Sequence, residues 1–404
     1  MQEKSRIFYP KFFDMLNYEQ IIKPEDQVKK LRRVLVFTPA YRPMIGGSEI
    51  ALEEIIRRLP DVFFDIITPR YKREFKAFEP GSNFNIYRVG SVFEVAKLMF
   101  PILGFFKAVK LMRDKNYDVA HAYQASYGGG AGWLSKLFYP KLKFILTLQE
   151  GEDLAKQNLL IKFFRGLMIK KADIITAISN YLADYAIGIN PKAKVFLIPN
   201  GIDLQKFQVS DHKLQTDFKF SGQKDNTIIT VSRLVTKNGL GDLIEAFHIL
   251  NTKYLILDTR LLIIGDGPLL TSLKLKVKSL NLEDKVDFVG QISNEKIPQY
   301  LAQADIFVRP SLSEGLGTAF LEAIAAGLPI IATPVGGIPD FLKDGETGLF
   351  CRVGDPEDIA EKIRMVLSDD SIKSKLMLNG RKLVEERYTW DKIALEFWKI
   401  YSKI

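Results

Sequence analysis

Cysteine and histidine are the scarcest chemically versatile residues in this 404-residue chain, and their scarcity excludes several classes of protein. The single cysteine, Cys351, cannot form an intramolecular disulfide, which excludes a disulfide framework and fits a reducing compartment. Three histidines leave little material for a histidine-built metal site. The first ten residues, MQEKSRIFYP, contain no continuous apolar run, so we expect no secretory signal.

Acidic residues are in the minority only in the first half of the chain. Residues 1–200 contain 31 Lys and Arg against 20 Asp and Glu, whereas the remaining residues contain 26 against 28. A basic first half attracts anionic partners, such as a membrane surface or an acidic acceptor. General solubility is the alternative explanation for charges that are this scattered.

The order of apolar runs predicts two α/β domains. Short strand-like runs alternate with longer helical stretches, as in parallel sheets covered by helices. Residues 210–225 are polar and poor in aliphatics, which is typical of a linker, and residues 1–31 form an extension before the first strand. The expected strands are residues 34–38, 63–68, 86–89, 119–122, 144–148, 174–178 and 195–198, then 228–231, 261–264, 286–289, 306–308, 329–332 and 348–351.

Residues 92–112 form an apolar stretch with Lys97, Lys107 and Lys110 interspersed. Pro101 and Gly104 would break or kink a helix near its middle, which argues against a membrane span. An interfacial helix with basic flanks and a pair of core helices around Pro101 are both compatible with this sequence. We expect the pair of core helices.

The most informative segment is residues 310–329, PSLSEGLGTAFLEAIAAGLP. We expect a strand before it, a loop over residues 311–318 and a helix over residues 319–326. Ligands of open α/β sheets bind at the carboxyl ends of the strands. Gly315 and Gly317 let a ligand approach the backbone, and the first turn of the helix favours a diphosphate. Glu314 and Glu322 can each accept hydrogen bonds from paired hydroxyls, so one can hold a hexose and the other a ribose.

Several further segments accompany this block in a fixed order: GG at 46–47, VFLIPNGID at 195–203, VSRLVTK at 231–237, IGDGP at 264–268 and GGIP at 336–339. Together they resemble the motifs of the retaining glycosyltransferases of family 4, over residues 33–390. The resemblance implies the α/β fold called GT-B, with two facing Rossmann-like parallel-sheet domains, an interdomain cleft and a C-terminal helix that crosses back to the first domain.

The same resemblance implies an acceptor-side domain over residues 1–209, completed by residues 388–404, and a nucleotide-sugar donor domain over residues 210–387. Arg233 and Lys237, after the strand at 228–231, would clamp the donor diphosphate in place of a divalent ion, and Glu314 would grip the sugar. The other implied donor contacts are Gly46, Gly47, Gly265, Asp266, Gly267, Gly290, Ile292, Gly315, Leu316, Gly317, Thr318 and Glu322.

The chain departs from the family pattern at two places. Gln149 stands where the family often carries a histidine that reaches the transferred sugar, and glutamine cannot carry a proton at neutral pH. The family usually has glycine directly after the clamp lysine, whereas here Asn238 lies between Lys237 and Gly239. Acceptor or sugar contacts are expected from Gln149, Glu150, Asp153, His121 and Asn200, although His121 at a strand end is also typical of a packed residue.

The resemblance implies transfer of a sugar from a UDP- or GDP-sugar to a glycan or lipid-linked glycan, with retained configuration, by a front-face route and without a metal. We expect no cofactor and no nucleic-acid partner. The expected location is the cytoplasm, and attachment to the cytosolic face of an anionic membrane is left open. A sugar-nucleotide epimerase or glycan phosphorylase on the same fold is one alternative, and a non-enzymatic binder of acidic partners is another.

Overall fold

The computed structural model describes residues 32–44, 46–90, 95–152, 154, 157–207, 226–256 and 258–404, except for the side chains of Val95 and Ala96. The expected extension at residues 1–31 and the expected linker at 210–225 lie outside these ranges. The domain boundary between residues 209 and 210 therefore stays a prediction. The described residues form two sheets, each covered by helices on both faces.

The first sheet has the spatial order β3-β4-β2-β1-β5-β6-β7-β8 among the described residues. Every neighbouring pair is parallel except β3 and β4. The expected strands of the first half all lie in it, whereas the short edge strand β3 was not predicted because its sequence, FEP, contains no apolar run. The strands are β1(Arg32–Phe37), β2(Val62–Pro69), β3(Phe78–Pro80), β4(Phe84–Val89), β5(Val119–Tyr123), β6(Lys143–Leu148), β7(Ile174–Ala177) and β8(Val195–Leu197).

Two helical layers cover this sheet because its central strands are apolar on both faces. On β1, Val34 and Val36 pack with helix α1, and Leu35 and Phe37 pack on the opposite side with α2 to α5. Helix α3 lies between α2 and α4 and contacts both. These helices are α1(Gly47–Arg58), α2(Val95–Asp114), α3(Tyr127–Phe138), α4(Leu159–Lys171) and α5(Asn180–Ile189).

The second sheet has the order β11-β10-β9-β12-β13-β14 and is parallel throughout the described residues. From β9 the chain first builds outward through β10 and β11, then returns to the other side of β9 with β12. Its elements are β9(Asn226–Val231), α6(Leu240–Thr252), β10(Thr259–Ile264), α7(Leu270–Ser279), β11(Val286–Gly290), α8(Ile297–Leu301), β12(Ile306–Arg309), α9(Thr318–Ala325), β13(Ile330–Ala332), β14(Leu349–Phe350), α10(Pro356–Ser368) and α11(Asp370–Arg387).

The last helix, α12(Trp390–Ser402), packs on the first sheet beside α1, as the sequence predicted. The ring of Tyr401 lies 6.1 Å from that of Phe64 on β2. At the end of the helix, Arg32 donates a hydrogen bond of 3.0 Å to the carbonyl oxygen of Ser402. The final helix therefore belongs to the core of the first domain.

The expected pair of helices around Pro101 is wrong, because α2 is one continuous helix with Pro101 inside it. Small residues allow α3 to lie close to this region: a β-carbon on Gly130 would come within 3.0 Å of Pro101, and one on Gly104 within 3.1 Å of Ala131. Packing against α3 thus outweighs the loss of one backbone hydrogen bond at proline. Among the described residues, no helix has both the length and the apolarity that spanning a bilayer requires.

Candidate active site

The site lies where the strand order of the second sheet reverses, between the carboxyl ends of β9 and β12. Open α/β sheets bind ligands in the crevice at such a switch point. The loop after β9 carries Arg233 and Lys237, and the loop after β12 carries Glu314. The two expected donor motifs are therefore neighbours in space although about eighty residues separate them.

The Glu314 carboxylate is held in a fixed orientation. One oxygen, Oε2, accepts a hydrogen bond of 2.7 Å from Arg309, and the other, Oε1, accepts one of 3.0 Å from the backbone N–H of Gly315. Gly336 supports the loop from behind with a backbone φ of +56°, and a β-carbon there would lie 1.7 Å from the Glu314 carbonyl oxygen. The GGIP motif thus serves the loop through close backbone packing.

Arg309 is a residue of this site that the sequence analysis did not single out. It is the last residue of β12, and its guanidinium is almost fully buried. Besides Glu314, it donates to the Val231 carbonyl oxygen at 3.1 Å and to the Ser311 hydroxyl at 3.2 Å, and it lies 4.2 Å from the centre of the Phe320 ring. The sequence does contain a signal for Arg309, because a charged residue at the end of an otherwise apolar, buried strand needs hydrogen-bond or ion-pair partners inside the protein.

Glu322 lies on α9, one turn beyond its first residue, and is half-buried. Burial raises the pKa of Glu322 to about 7, while Arg309 and Lys206 oppose that shift. Burial also lowers the pKa of the Arg309 guanidinium, and Glu314 and Glu322 counteract this effect. Arg309 therefore interacts electrostatically with both glutamates, and its hydrogen bond goes to Glu314.

Lys237 crosses the cleft between the domains. Its ammonium donates a hydrogen bond of 2.7 Å to the carbonyl oxygen of Gly151, which belongs to the first domain. Ser313 donates to the same oxygen at 3.4 Å. Arg233, four residues before Lys237, is exposed. Lys237 therefore bridges the two walls of the crevice, whereas the Arg233 side chain is exposed to solvent.

The insertion of Asn238 between Lys237 and Gly239 is absorbed by a short 3-10 turn, Thr236–Asn238. Asn238 is buried, and its amide donates a hydrogen bond of 2.7 Å to the Arg233 carbonyl oxygen. Gly239 has a φ of +66°, and a β-carbon there would lie 1.9 Å from the Pro310 carbonyl oxygen. The asparagine therefore ties the two cation-bearing residues into one rigid turn.

The remaining donor-side candidates surround this turn. The N–H of Gly265 donates to the Gly290 carbonyl oxygen at 2.9 Å, and the carbonyl of Asp266 accepts from Leu234, also at 2.9 Å. These contacts hold the loops after β9, β10 and β11 side by side. Two other donor-side candidates, Gly267 and Ile292, lie in the loops after β10 and β11. The remaining ones form the segment that leads into α9: Gly315, the buried Leu316, Gly317 and Thr318.

On the first domain, Gly46 and Gly47 begin α1 at the carboxyl end of β1, as predicted. A carboxylate that the sequence did not single out, Glu49, is buried beside them and accepts a hydrogen bond of 2.8 Å from the Ser48 hydroxyl. Burial raises the pKa of Glu49 above its usual value. The Ser48 hydroxyl in turn accepts from Gln124 at 3.2 Å.

The expected acceptor contacts divide into two groups. Gln149 donates to Asn200 at 3.3 Å, and Glu150 accepts from the backbone N–H of Ala125 at 2.6 Å, so all three expected side chains lie near the cleft wall. Asp153 lies outside the described residues. His121 differs from these residues because it is completely buried.

His121 bridges the first sheet and the C-terminal helix. One ring nitrogen lies 2.7 Å from the Tyr401 hydroxyl and the other 2.6 Å from that of Thr147. Burial lowers the pKa of His121 to about 3, so the ring is neutral at physiological pH. Because both nitrogens are occupied inside the core, His121 is not available to contact an acceptor, contrary to the expectation from the sequence.

No group of three His, Cys, Asp or Glu side chains within the described ranges lies close enough together to hold a metal ion. The reliance on Arg233 and Lys237 in place of a metal stays a proposal.

Comparison with known proteins agrees with this architecture. The family model described as "Glycosyltransferase Family 4" matches residues 45–206, and the one described as "Glycosyl transferases group 1" matches residues 213–383. The N-acetyl-alpha-D-glucosaminyl L-malate synthase of Bacillus anthracis is 27% identical over 374 residues, which are 90% of this chain and 95% of that protein. The GDP-mannose-dependent alpha-(1-6)-phosphatidylinositol monomannoside mannosyltransferase of Mycobacterium tuberculosis is 26% identical over 386 residues, covering 90% and 96%.

Among solved structures, sucrose-phosphate synthase from Thermosynechococcus elongatus superposes with a TM-score of 0.81 at 23% identity, over 93% of this chain and 99% of that one. This likeness supports the GT-B fold. The two family models together span both domains, and the two relatives named above align over 95% and 96% of their own lengths. The chain therefore belongs to the family 4 glycosyltransferases and has the GT-B fold.

Proposed function

We propose that this protein is a retaining, metal-independent glycosyltransferase that moves a sugar from a UDP- or GDP-sugar to a glycan or lipid-linked glycan. The observation that carries the proposal is that an oriented Glu314 carboxylate and the Lys237 ammonium both lie beside Gly151, on the opposite side of the cleft from their own loops. In this proposal residues 210–387 bind the donor and residues 1–209 with 388–404 present the acceptor.

Arg233 and Lys237 would stabilise the leaving diphosphate. Negative charge grows on its bridging oxygen as the bond to the anomeric carbon lengthens, and fixed cations favour that change. Lys237 would exchange the Gly151 carbonyl oxygen for a phosphate oxygen when the donor binds. Removing one such donor typically costs about 100-fold to 1000-fold in rate.

Glu314 and Glu322 would hold the two sugars of the donor. Each Glu314 oxygen already accepts one hydrogen bond within the protein and keeps a lone pair for a sugar hydroxyl. Glu322 would accept hydrogen bonds from the ribose. With the backbone of residues 315–318 leading into α9, these contacts would place the diphosphate at the positive end of the helix.

Retention would follow from attack on the face that the leaving group departs from. The bond between the anomeric carbon and the phosphate oxygen breaks, the acceptor oxygen bonds to the same face, and its proton passes to the departing diphosphate. Gln149 cannot take that proton at neutral pH, which supports the leaving group as the base. The name of the Mycobacterium tuberculosis relative, which gives a GDP-mannose donor and a phosphatidylinositol-linked acceptor, supports this choice of substrates. A place at the cytosolic face of a membrane is part of the proposal.

The test is to incubate the protein with individual UDP- and GDP-sugars, with and without a chelator, in the presence of lipid-linked and soluble glycans. Mass spectrometry should find a product that is larger by one sugar, and the NMR coupling of its anomeric proton should match that of the donor. Conversion of the donor without an acceptor would favour an epimerase, and a requirement for inorganic phosphate would favour a phosphorylase. Absence of turnover with every donor would contradict the proposal.

A further inference from the structure

Exposed apolar side chains are concentrated on one layer of the first domain. Within the described ranges, twelve of the nineteen large hydrophobic side chains that are exposed lie on α2, on α4 or at the end of α3. Apolar patches of this kind are rare on monomeric soluble proteins unless they bind something. The uneven distribution therefore indicates that a partner covers this layer.

Helix α4 shows the feature most clearly. Five of its first six residues are exposed and apolar, among them Leu159, which is 82% exposed, and Phe163, which is 60% exposed. The second half of the helix buries Met168 and Ile169 in the core of the domain. The helix is thus anchored by its end and presents its beginning to the surroundings.

On α2 the exposed apolar residues follow a helical spacing. Leu98, Met99, Ile102 and Phe106 lie on the side that faces away from the sheet, whereas Phe100 and Ala108 are buried beneath them. We call residues 159–164 together with Leu98, Met99, Ile102 and Phe106 the apolar face. Because α3 contacts both helices, the two parts of this face belong to one layer.

The charge around the apolar face is almost entirely positive. Helices α2, α3 and α4 contain nine Lys and Arg residues and a single acidic residue, Asp114. A second protein of ordinary composition would not require this bias. Anionic phospholipid headgroups do match it, since lysine and arginine next to inserted apolar side chains add attraction at the membrane surface.

The apolar face is connected to the cleft. The buried Arg165 of α4 donates a hydrogen bond of 3.2 Å to the Ala125 carbonyl oxygen. Its guanidinium nitrogen lies 3.8 Å from an oxygen of the Glu150 carboxylate. Glu150 directly precedes Gly151, which accepts the hydrogen bond from Lys237. The first turns of α4 are thus fixed to the first-domain wall of the candidate active site.

We propose that the apolar face inserts into the interfacial region of an anionic phospholipid membrane. Leu159, Phe163 and their neighbours enter the boundary between headgroups and acyl chains, and the surrounding lysines contact the headgroups. The consequence for catalysis rests on the proposed function: an acceptor anchored in that membrane would reach the cleft beside α4 without leaving the bilayer.

The test uses the full chain and vesicles of mixed phosphatidylglycerol and phosphatidylcholine, compared with pure phosphatidylcholine. We expect sedimentation with the anionic vesicles, weakened by added salt. The double variant L159E/F163E should bind them at least about tenfold more weakly, because inserting apolar side chains contributes strongly and carboxylates are repelled. The matched control is L275E/L378E, which adds the same charges at exposed leucines of the second domain, 63% and 72% exposed, and should bind like the wild type.

Thermal unfolding and nucleotide binding of both variants separate this inference from the proposed function. Unchanged nucleotide binding with lost vesicle binding supports the membrane face. Failure of the wild type to bind anionic vesicles, or equal binding by both double variants, would overturn it. A wild-type dimer that L159E/F163E converts to a monomer, without vesicle binding by either, would overturn it in favour of a second copy of the chain.

Discussion

Replacing Arg309 by methionine tests whether the buried cation organises the site. Methionine fills a similar volume but leaves the Glu314 carboxylate with only the N–H of Gly315 and frees the Val231 carbonyl oxygen. Breaking a buried ion pair by removing one partner costs about 3–5 kcal/mol. At roughly 2–4 °C per kcal/mol for a domain of this size, the melting temperature should fall by on the order of 10 °C.

Arg260 provides a matched control. It also lies on a strand of the second sheet and forms an ion pair of 2.7 Å with Asp287, the same length as that between Arg309 and Glu314. The difference is exposure: the side chains are 22% and 26% exposed in the control pair but 5% and 13% in the pair at the site. Ion pairs that solvent reaches contribute about 0–1 kcal/mol to stability, so R260M should change the melting temperature very little.

Differential scanning calorimetry measures both variants, and titration of the nucleotide measures the site. R309M should lose stability and most nucleotide affinity, whereas R260M should keep both. Equal effects of the two substitutions would refute the argument that burial, and not the ion pair itself, gives Arg309 its importance.

Three further predictions address the loop and the core. E314Q should stay folded, with a lower melting temperature because the buried Arg309 loses its charged partner, and should lose about 100-fold or more in transfer rate, since a neutral amide cannot replace an oriented carboxylate; turnover at the wild-type rate would contradict its assignment. G336A should weaken both stability and nucleotide binding, whereas G345A, with a similar φ of +68° but no atom near its β-carbon, should affect stability alone; comparison of the two by calorimetry separates backbone strain from displacement of the Glu314 loop. The pKa of His121 is about 3 in the folded state against 6.5 when free, so the unfolded chain binds the proton first as the pH falls. The free energy of unfolding of the wild type should therefore decrease by about 2 kcal/mol through this group when the pH is lowered from 6.5 to 5. H121Q should flatten that part of the pH dependence in urea unfolding curves, and an unchanged slope would refute the assignment.

The sequence predicted the fold well because the relevant signals are local. The strands of the second sheet are short apolar runs, most of them followed by a helix, and such runs predicted every strand of that sheet. The motifs after β9 and β12 were also recognisable from residue types alone. What the sequence could not show is which loops meet, since the contact between Lys237 and Gly151 joins positions 86 residues apart.

The errors arose where tertiary packing outweighs local preference. Pro101 predicts a broken helix, but the small residues of α3 let α2 pack as one piece. Arg309 looks like the polar end of a strand, and only the three-dimensional arrangement reveals it as the partner of Glu314. The exposure of Leu159 and its neighbours could not be predicted either, because in sequence an exposed apolar first turn of a helix looks the same as one that is buried in the core.

Isothermal titration of UDP and GDP in the presence of a chelator, comparing the wild type with K237M, tests the central claim most directly. The account predicts chelator-resistant binding of one nucleotide and a loss of affinity of about tenfold or more in K237M, because a charge-assisted hydrogen bond to phosphate contributes roughly 1.5–3 kcal/mol. K278M, at an exposed lysine of α7, should bind like the wild type. Binding that appears only with added divalent metal, or that survives unchanged in K237M, would contradict the account.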